Sequence, residues 1–226
     1  MRLFFSVMLE RYLHALSVED FGLEEPPATR ERLKDRFPRG ATRRMTQLGM
    51  LVGAALYELD PHAEDAVVYA SSYSETRALE GYLDSFPSAS PTLFQTSIHP
   101  SAVQQALITR QHAVGEFFPI TGRGHLVALA VQTALLSPAP RVLLCGGEER
   151  GTWLLEQKVA SDRTFAFALA LGSEATGAIA RVGLEAVADD VPARSFTLAE
   201  FCDALRARQS LDLVAAPGLR FRLGWF

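Results

Sequence analysis

The 226-residue sequence has only two cysteines, Cys145 and Cys202, and they lie far apart. That excludes a disulfide framework, and Cys145, set in the apolar run PRVLLCGG, reads as a buried small hydrophobe. No metal-ligand spacing exists among these cysteines and the five histidines, so no metal is expected. Positive charge is not in excess: 22 Lys and Arg stand against 26 Asp and Glu, a net charge of −4. This removes any bulk electrostatic case for nucleic acid or an anionic membrane surface. No apolar run is long enough to span a bilayer. The apolar opening after Arg2 is cut by Glu10 and Arg11 with no small-residue cleavage site behind it, so a cytoplasmic protein without membrane insertion is expected. The Gly122-Arg123-Gly124 turn lacks a following Gly-Lys-Ser/Thr and is not a phosphate loop.

What is present is core material: 48% of residues are hydrophobic and 21% charged, ordinary for a globular chain. Residues 3–8 are apolar and β-favouring, a first strand; residues 17–35, polar with a Pro-Pro pair, read as a connecting loop. Met45, Leu48, Leu51, Val52, Ala55 and Leu56 recur at helical spacing and predict a helix over 42–59, stopped by Asp60-Pro61. Strands are predicted at 65–72, 113–120, 140–147, 163–172 and within 177–187, and helices at 74–86, 97–110, 124–136 and 197–208. Residues 87–96 read as a proline-punctuated loop. Strands alternating with helices, then two consecutive strands, define an α/β layered domain with a mixed sheet. Helix 124–136 is apolar nearly all round and is expected to be its fully buried central helix.

Chemistry concentrates at 113–147. A strand, the turn Thr121-Gly122-Arg123-Gly124-His125, a helix and a second strand ending in Gly146-Gly147 follow one another. A helix N-terminus gathers unsatisfied N–H groups and lowers the pKa of a thiol placed there. Gly146-Gly147 is expected to let the backbone turn closely beneath such a site. Yet the turn holds neither Cys nor Ser. His125 is read either as a pocket group or as a structural histidine, and His99, before Pro100, as a donor to a nearby carbonyl. Glu148 and Glu149 read as loop charges or helix-start residues rather than an acid/base pair. Arg39, Arg43 and Arg44 read as a solvated helix face or as a dock for an acidic carrier protein, and Arg123 as a solvated turn residue or a contact to a partner or carrier.

Residues 121–149, TGRGHLVALAVQTALLSPAPRVLLCGGEE, resemble the nucleophile region of the β-ketoacyl synthases, and the resemblance extends over about residues 40–175. It implies a single thiolase-like half, the ketoacyl-synthase N-terminal half, over residues 1–226, and places Gly122 where the acyl-accepting Cys stands in that family. The second half, with the two His residues that drive condensation, is expected to be missing. Ser90, Pro91, Thr92, Phe94, Ser97 and His99 form a pattern similar to the chain-length-factor subunits of aryl-polyene and type II polyketide pathways. That resemblance implies a non-catalytic partner of an active β-ketoacyl synthase, paired through the strand carrying Glu116, Phe117, Phe118 and Pro119, with Phe117 and Phe118 on opposite faces. It implies no cofactor of its own, the synthase using phosphopantetheine-bound acyl chains on an acyl carrier protein. Two other readings stay open. One is a small acyl-thioester hydrolase or transferase with the helix 124–136 N-terminus as oxyanion hole and His125 or His99 as base. The other is a homodimeric acyl-binding protein.

Overall fold

The structure is a computed structural model describing residues 8–188 and 190–226. The strand expected at 3–8 lies, but for its last residue, outside the described residues. Strand β1 runs Met8–Gly22, through the first part of the segment expected to be a loop. Its charges hid it. Each of them is paired once the chain is folded: Glu19 with Arg32 and Arg36, and Asp20 with Arg163 and Arg206. The rest of that segment holds helix α1, Pro26–Leu33, whose Pro-Pro pair sits in the first turn, where a missing N–H costs nothing.

Helix α2 (Gln47–Tyr57) leads to β2 (Ala66–Ser71). Helices α3 (Thr76–Asp84), α4 (Pro91–Ser97) and α5 (Ser101–Thr109) lead to β3 (Glu116–Thr121). Then come α6 (Leu126–Leu136), β4 (Arg141–Glu148), the short α7 (Trp153–Glu156), β5 (Thr164–Gly172) and β6 (Ala180–Ala186). Helix α8 (Leu198–Arg206) and the hairpin β7 (Leu211–Ala216)–β8 (Leu219–Trp225) follow. The expected loop at 87–96 thus contains a helix. Ser90 caps it by accepting from the Leu93 N–H at 3.3 Å, and Pro91 opens it.

The eight strands form one mixed sheet in the order β3-β2-β4-β5-β1-β6-β8-β7. β2, β3 and β4 are parallel; β5 lies antiparallel between β4 and β1. Helices α6 and α8 cover one face over a core that includes the Phe167, Phe196, Phe201 and Phe221 rings; α2 and α5 cover the other. Of the C-terminal aromatics, Phe221 is buried in the first cluster and Trp225 packs against it, while Phe226 is exposed.

The fully buried helix is α2, every residue of which is buried, and not the segment 124–136. Helix α6 buries one side only: Leu129 and Leu136 are 47% and 59% exposed. An apolar sequence says that a face avoids water; it does not say that this chain supplies the cover.

One buried cation holds α6 to the sheet. Arg11 of β1 donates through Nη2 to the carbonyls of Ser137 (2.6 Å) and Ala139 (2.9 Å), just past the helix. Burial lowers its pKa, yet the guanidinium stays charged. Arg11→Met removes these charge-assisted bonds and strands the carbonyls; a loss of about 2 kcal/mol in chemical denaturation is expected.

Candidate functional site

The parallel strands β2, β3 and β4 end at the same edge, where helix N-termini converge. β3 finishes at Thr121, and the turn to α6 uses Gly122 at φ +151° and His125 at φ +57°. A Cβ built on Gly122 meets nothing within 4 Å. Space for a side chain is therefore available there; the backbone conformation is what favours glycine. No side chain caps α6. Its N-cap residue His125 turns its ring away, Nδ1 lying 2.9 Å from the Ala215 carbonyl of β7, so that nitrogen carries the proton. Thr121, Arg123, Gly124 and His125 are exposed.

Beside the turn opens a cleft of about 500 Å³, its lining including Arg123, Leu126, Glu148, Phe165, Phe196 and Thr197. Arg123 lies over the Tyr73 ring at 5.1 Å. His99 is not among the lining residues. Its ring stacks on Tyr69 with centroids 5.0 Å apart, and burial drives its pKa down to about 4. Neither of its ring nitrogens has a hydrogen-bond partner among the described residues, so the donation expected of it to a carbonyl is not made there.

Gly146 and Gly147 do not form a turn. They lie inside β4, because a Cβ at Gly146 would sit 2.6 Å from the Ala70 carbonyl and one at Gly147 2.5 Å from that of Phe165. The two acids after them are neither loop charges nor starters of their own helix. Glu148 is buried and accepts from Ser71 Oγ (3.0 Å) and from the Tyr73 (3.1 Å) and Ser72 N–H groups. Glu149 accepts from the Leu48 N–H (3.3 Å) in α2 and from the Arg77 N–H (2.8 Å) in α3. Burial pushes both carboxyls up to about 7, against the opposing pull of these donors. Two acids unnoticed in the sequence do the same work. Glu75 accepts from the Ala102 N–H (2.6 Å) at the start of α5, and Glu80 from the Thr152 (2.7 Å) and Leu154 (2.9 Å) N–H groups around the start of α7. Helices α3, α5 and α7 have no side-chain cap of their own, so distant glutamates satisfy their first N–H groups.

The second feature is the sheet edge. Among the described residues β3 is an edge strand with a neighbour on one side only. Phe118 packs on the α6 face of the sheet and Phe117 on the α2 face. Pro119 is exposed, and the Glu116 carboxylate accepts from Ser137 Oγ at 3.0 Å. On the same face of the sheet as Phe118, α6 presents Leu129, Thr133 and Leu136, spaced to form a stripe. The basic residues Arg39, Arg43 and Arg44 are exposed and make no ion pair among the described residues; Arg39 and Arg43 line a separate surface cleft. No helix of the described residues is long and apolar enough to cross a membrane.

This arrangement is a ketosynthase-like, thiolase-type α/β fold. A similar fold is seen in a chain of the complex of a ketosynthase (ApeO) with its chain length factor (ApeC) from Xenorhabdus doucetiae. The two match over 96% of this chain and 99% of that one, with a TM-score of 0.65 and 18% identity. More distant matches are PksG, an HMG-CoA synthase from Bacillus subtilis (TM-score 0.39, 13% identity, 76% of this chain and 43% of that one), and a 3-oxoacyl-(acyl-carrier protein) synthase from Burkholderia xenovorans LB400 (TM-score 0.39, 14% identity, 85% and 59%). No family model and no curated protein matches the sequence.

Proposed function

We propose that the protein is a non-catalytic ketosynthase-like subunit of the chain-length-factor kind, pairing with a complete β-ketoacyl synthase and shaping its acyl tunnel. The observation that carries this reading is the β3–α6 turn. A strand, a turn and a helix N-terminus follow one another, and Gly122 at φ +151° stands where the sequence resemblance puts the acyl-accepting thiol, with no Cys or Ser from Thr121 to His125. The end-to-end likeness to a chain of a ketosynthase–chain length factor complex supports it. So does an open edge strand beside an uncovered apolar helix face, the form of an interface awaiting a partner. The chemistry belongs to the partner: decarboxylative condensation of acyl and malonyl thioesters carried on phosphopantetheine by an acyl carrier protein, in polyketide, aryl-polyene or fatty-acid-like synthesis. This chain needs no cofactor for its part. The exposed Arg39, Arg43 and Arg44 suit an acidic carrier surface.

Co-expression with a complete ketosynthase from the same organism, followed by size-exclusion chromatography with mass detection, tests the reading. A one-to-one complex is expected. A chain that stays apart from the ketosynthase and forms its own dimer would turn the assignment toward the homodimeric acyl-binding protein. The thioester hydrolase reading retains one observation, Glu148 at the wall of the cleft with its carboxyl raised to about 7. Its proposed bases fare worse: His125 is tied to Ala215, and His99 does not line the cleft. No thioester turnover by the isolated chain is expected, and turnover abolished by Glu148→Gln would reverse that judgement.

A further inference from the structure

Three buried polar groups find no hydrogen-bond partner among the described residues. They are the Tyr69 hydroxyl, the second carboxyl oxygen (Oε2) of Glu75 and both ring nitrogens of His99. Tyr69 and Glu75 are 0% and 1% exposed. The Tyr69 and His99 rings stack, and the Ala102 N–H that Glu75 holds is three residues beyond His99. Burial first, and then the charges of Glu75, Glu148, Cys145 and Glu149, keep the Tyr69 phenol well above its ordinary range.

We infer that Tyr69, Glu75 and His99 enclose an internal hydration site, and that around it Glu75, Glu148 and Glu149 hold at least one shared proton that keeps α2, α3 and α5 fastened to the top of the sheet. Three considerations lead there. A buried water takes two to four polar partners, and these three residues supply that number in one place. Each is costly if left alone, since a buried polar group without a partner forfeits its hydration. Glu75 lies between Tyr73 and Arg77, whose N–H groups bind Glu148 and Glu149, and three buried carboxyls gathered in this way cannot all ionise cheaply, so their protons belong to the set rather than to one residue.

The groups facing the cluster are Tyr69 and Ser71 from β2, Cys145 and Glu148 from β4, Glu149 just past it, Glu75 and Arg77 at the start of α3, and His99 ahead of α5. Arg77 is the cation among them and acts on Glu149. His99 stays neutral near pH 7, its pKa lying near 4, so it serves the site as an uncharged donor and acceptor. Burial raises Glu75 to about 8 and Glu148 and Glu149 to about 7. The folded state therefore holds more protons than the unfolded chain. Stability from the cluster is complete below the ordinary carboxylate range and is lost as pH rises through about 7 to 8. Because Glu148 also lines the cleft, the charge of whatever occupies the cleft acts on the same protons.

Thermal unfolding of the full chain, alone or with its partner, should give a melting temperature that falls between pH 6 and pH 9. Glu75→Gln keeps an acceptor for the Ala102 N–H and should flatten the upper part of that fall; an unchanged profile would remove Glu75 from the cluster and overturn the inference. Tyr69→Phe distinguishes a hydrated hydroxyl from an orphan. Loss of a water's partner should lower the melting temperature by about 3 °C, whereas an unchanged or higher value would show that no hydration site is there. Infrared spectroscopy of the wild type at pH 6 gives a readout independent of stability. A protonated-carboxyl C=O stretch that disappears toward pH 9 is expected, and its absence at pH 6 would dispose of the shared proton even if Glu75→Gln failed to fold.

Discussion

Replacing Leu129 and Leu136 together by glutamate is expected to abolish pairing with the ketosynthase while leaving the chain folded. The two side chains are 47% and 59% exposed on α6, so the isolated fold loses little when they change. In a complex that pairs along β3 they would be covered. Burying a leucine at such a surface contributes about 1.5–3 kcal/mol, and a carboxylate forced into the same place without a partner opposes association further. A weakening of at least about 100-fold in Kd, roughly 2.7 kcal/mol, follows. Titration calorimetry, or co-purification from cells expressing both chains, measures it, with circular dichroism to check the fold. Wild-type affinity in the double variant would mean that α6 faces water in the complex and that the interface lies elsewhere.

Gly147→Ala should cost at least about 3 kcal/mol, because the new methyl would lie 2.5 Å from the Phe165 carbonyl and 3.0 Å from the Ala166 Cα. Both obstacles are backbone of the neighbouring strand β5, paired in register with β4, and cannot rotate away. At about 2–4 °C per kcal/mol for a chain of this size, the melting temperature should fall by about 10 °C. Gly124→Ala is the control: its Cβ meets nothing within 4 Å and its φ is not left-handed, so calorimetry should find it nearly neutral. Equal effects at the two positions would show that the β4–β5 contact is slack and that Gly146-Gly147 has some other purpose.

Much of this fold could be read directly from the chain. The apolar runs that became β2, β4 and β5 are buried on both faces and announce themselves by β-branched and apolar content, and α8 announces itself by Thr197 and Glu200, whose capping box is formed. The lack of Cys and Ser from Thr121 to His125 is equally plain, since a residue type at a numbered position needs no tertiary structure to be known. Ser90 and Pro91 were a legible helix start, a Ser cap followed by Pro, obscured by the prolines and serines around them.

What the sequence by itself determined is which segments avoid water, with what period, and that the turn after β3 carries neither Cys nor Ser. Tertiary structure alone decided what covers each apolar face and what surrounds each charge. Helices α2 and α6 are similarly apolar, yet α2 is enclosed by β4, β5 and α5 while α6 keeps a bare stripe, because cover comes from residues far away in the chain. β1 is a strand in spite of Glu19 and Asp20, because Arg32, Arg36, Arg163 and Arg206 reach them only after folding. Glu149 becomes a buried helix cap because the chain returns to bring the Leu48 N–H, 101 residues earlier, to within 3.3 Å of it. Local periodicity records the preference of a side chain for water or oil; the partner that satisfies a buried charge is a property of the completed fold.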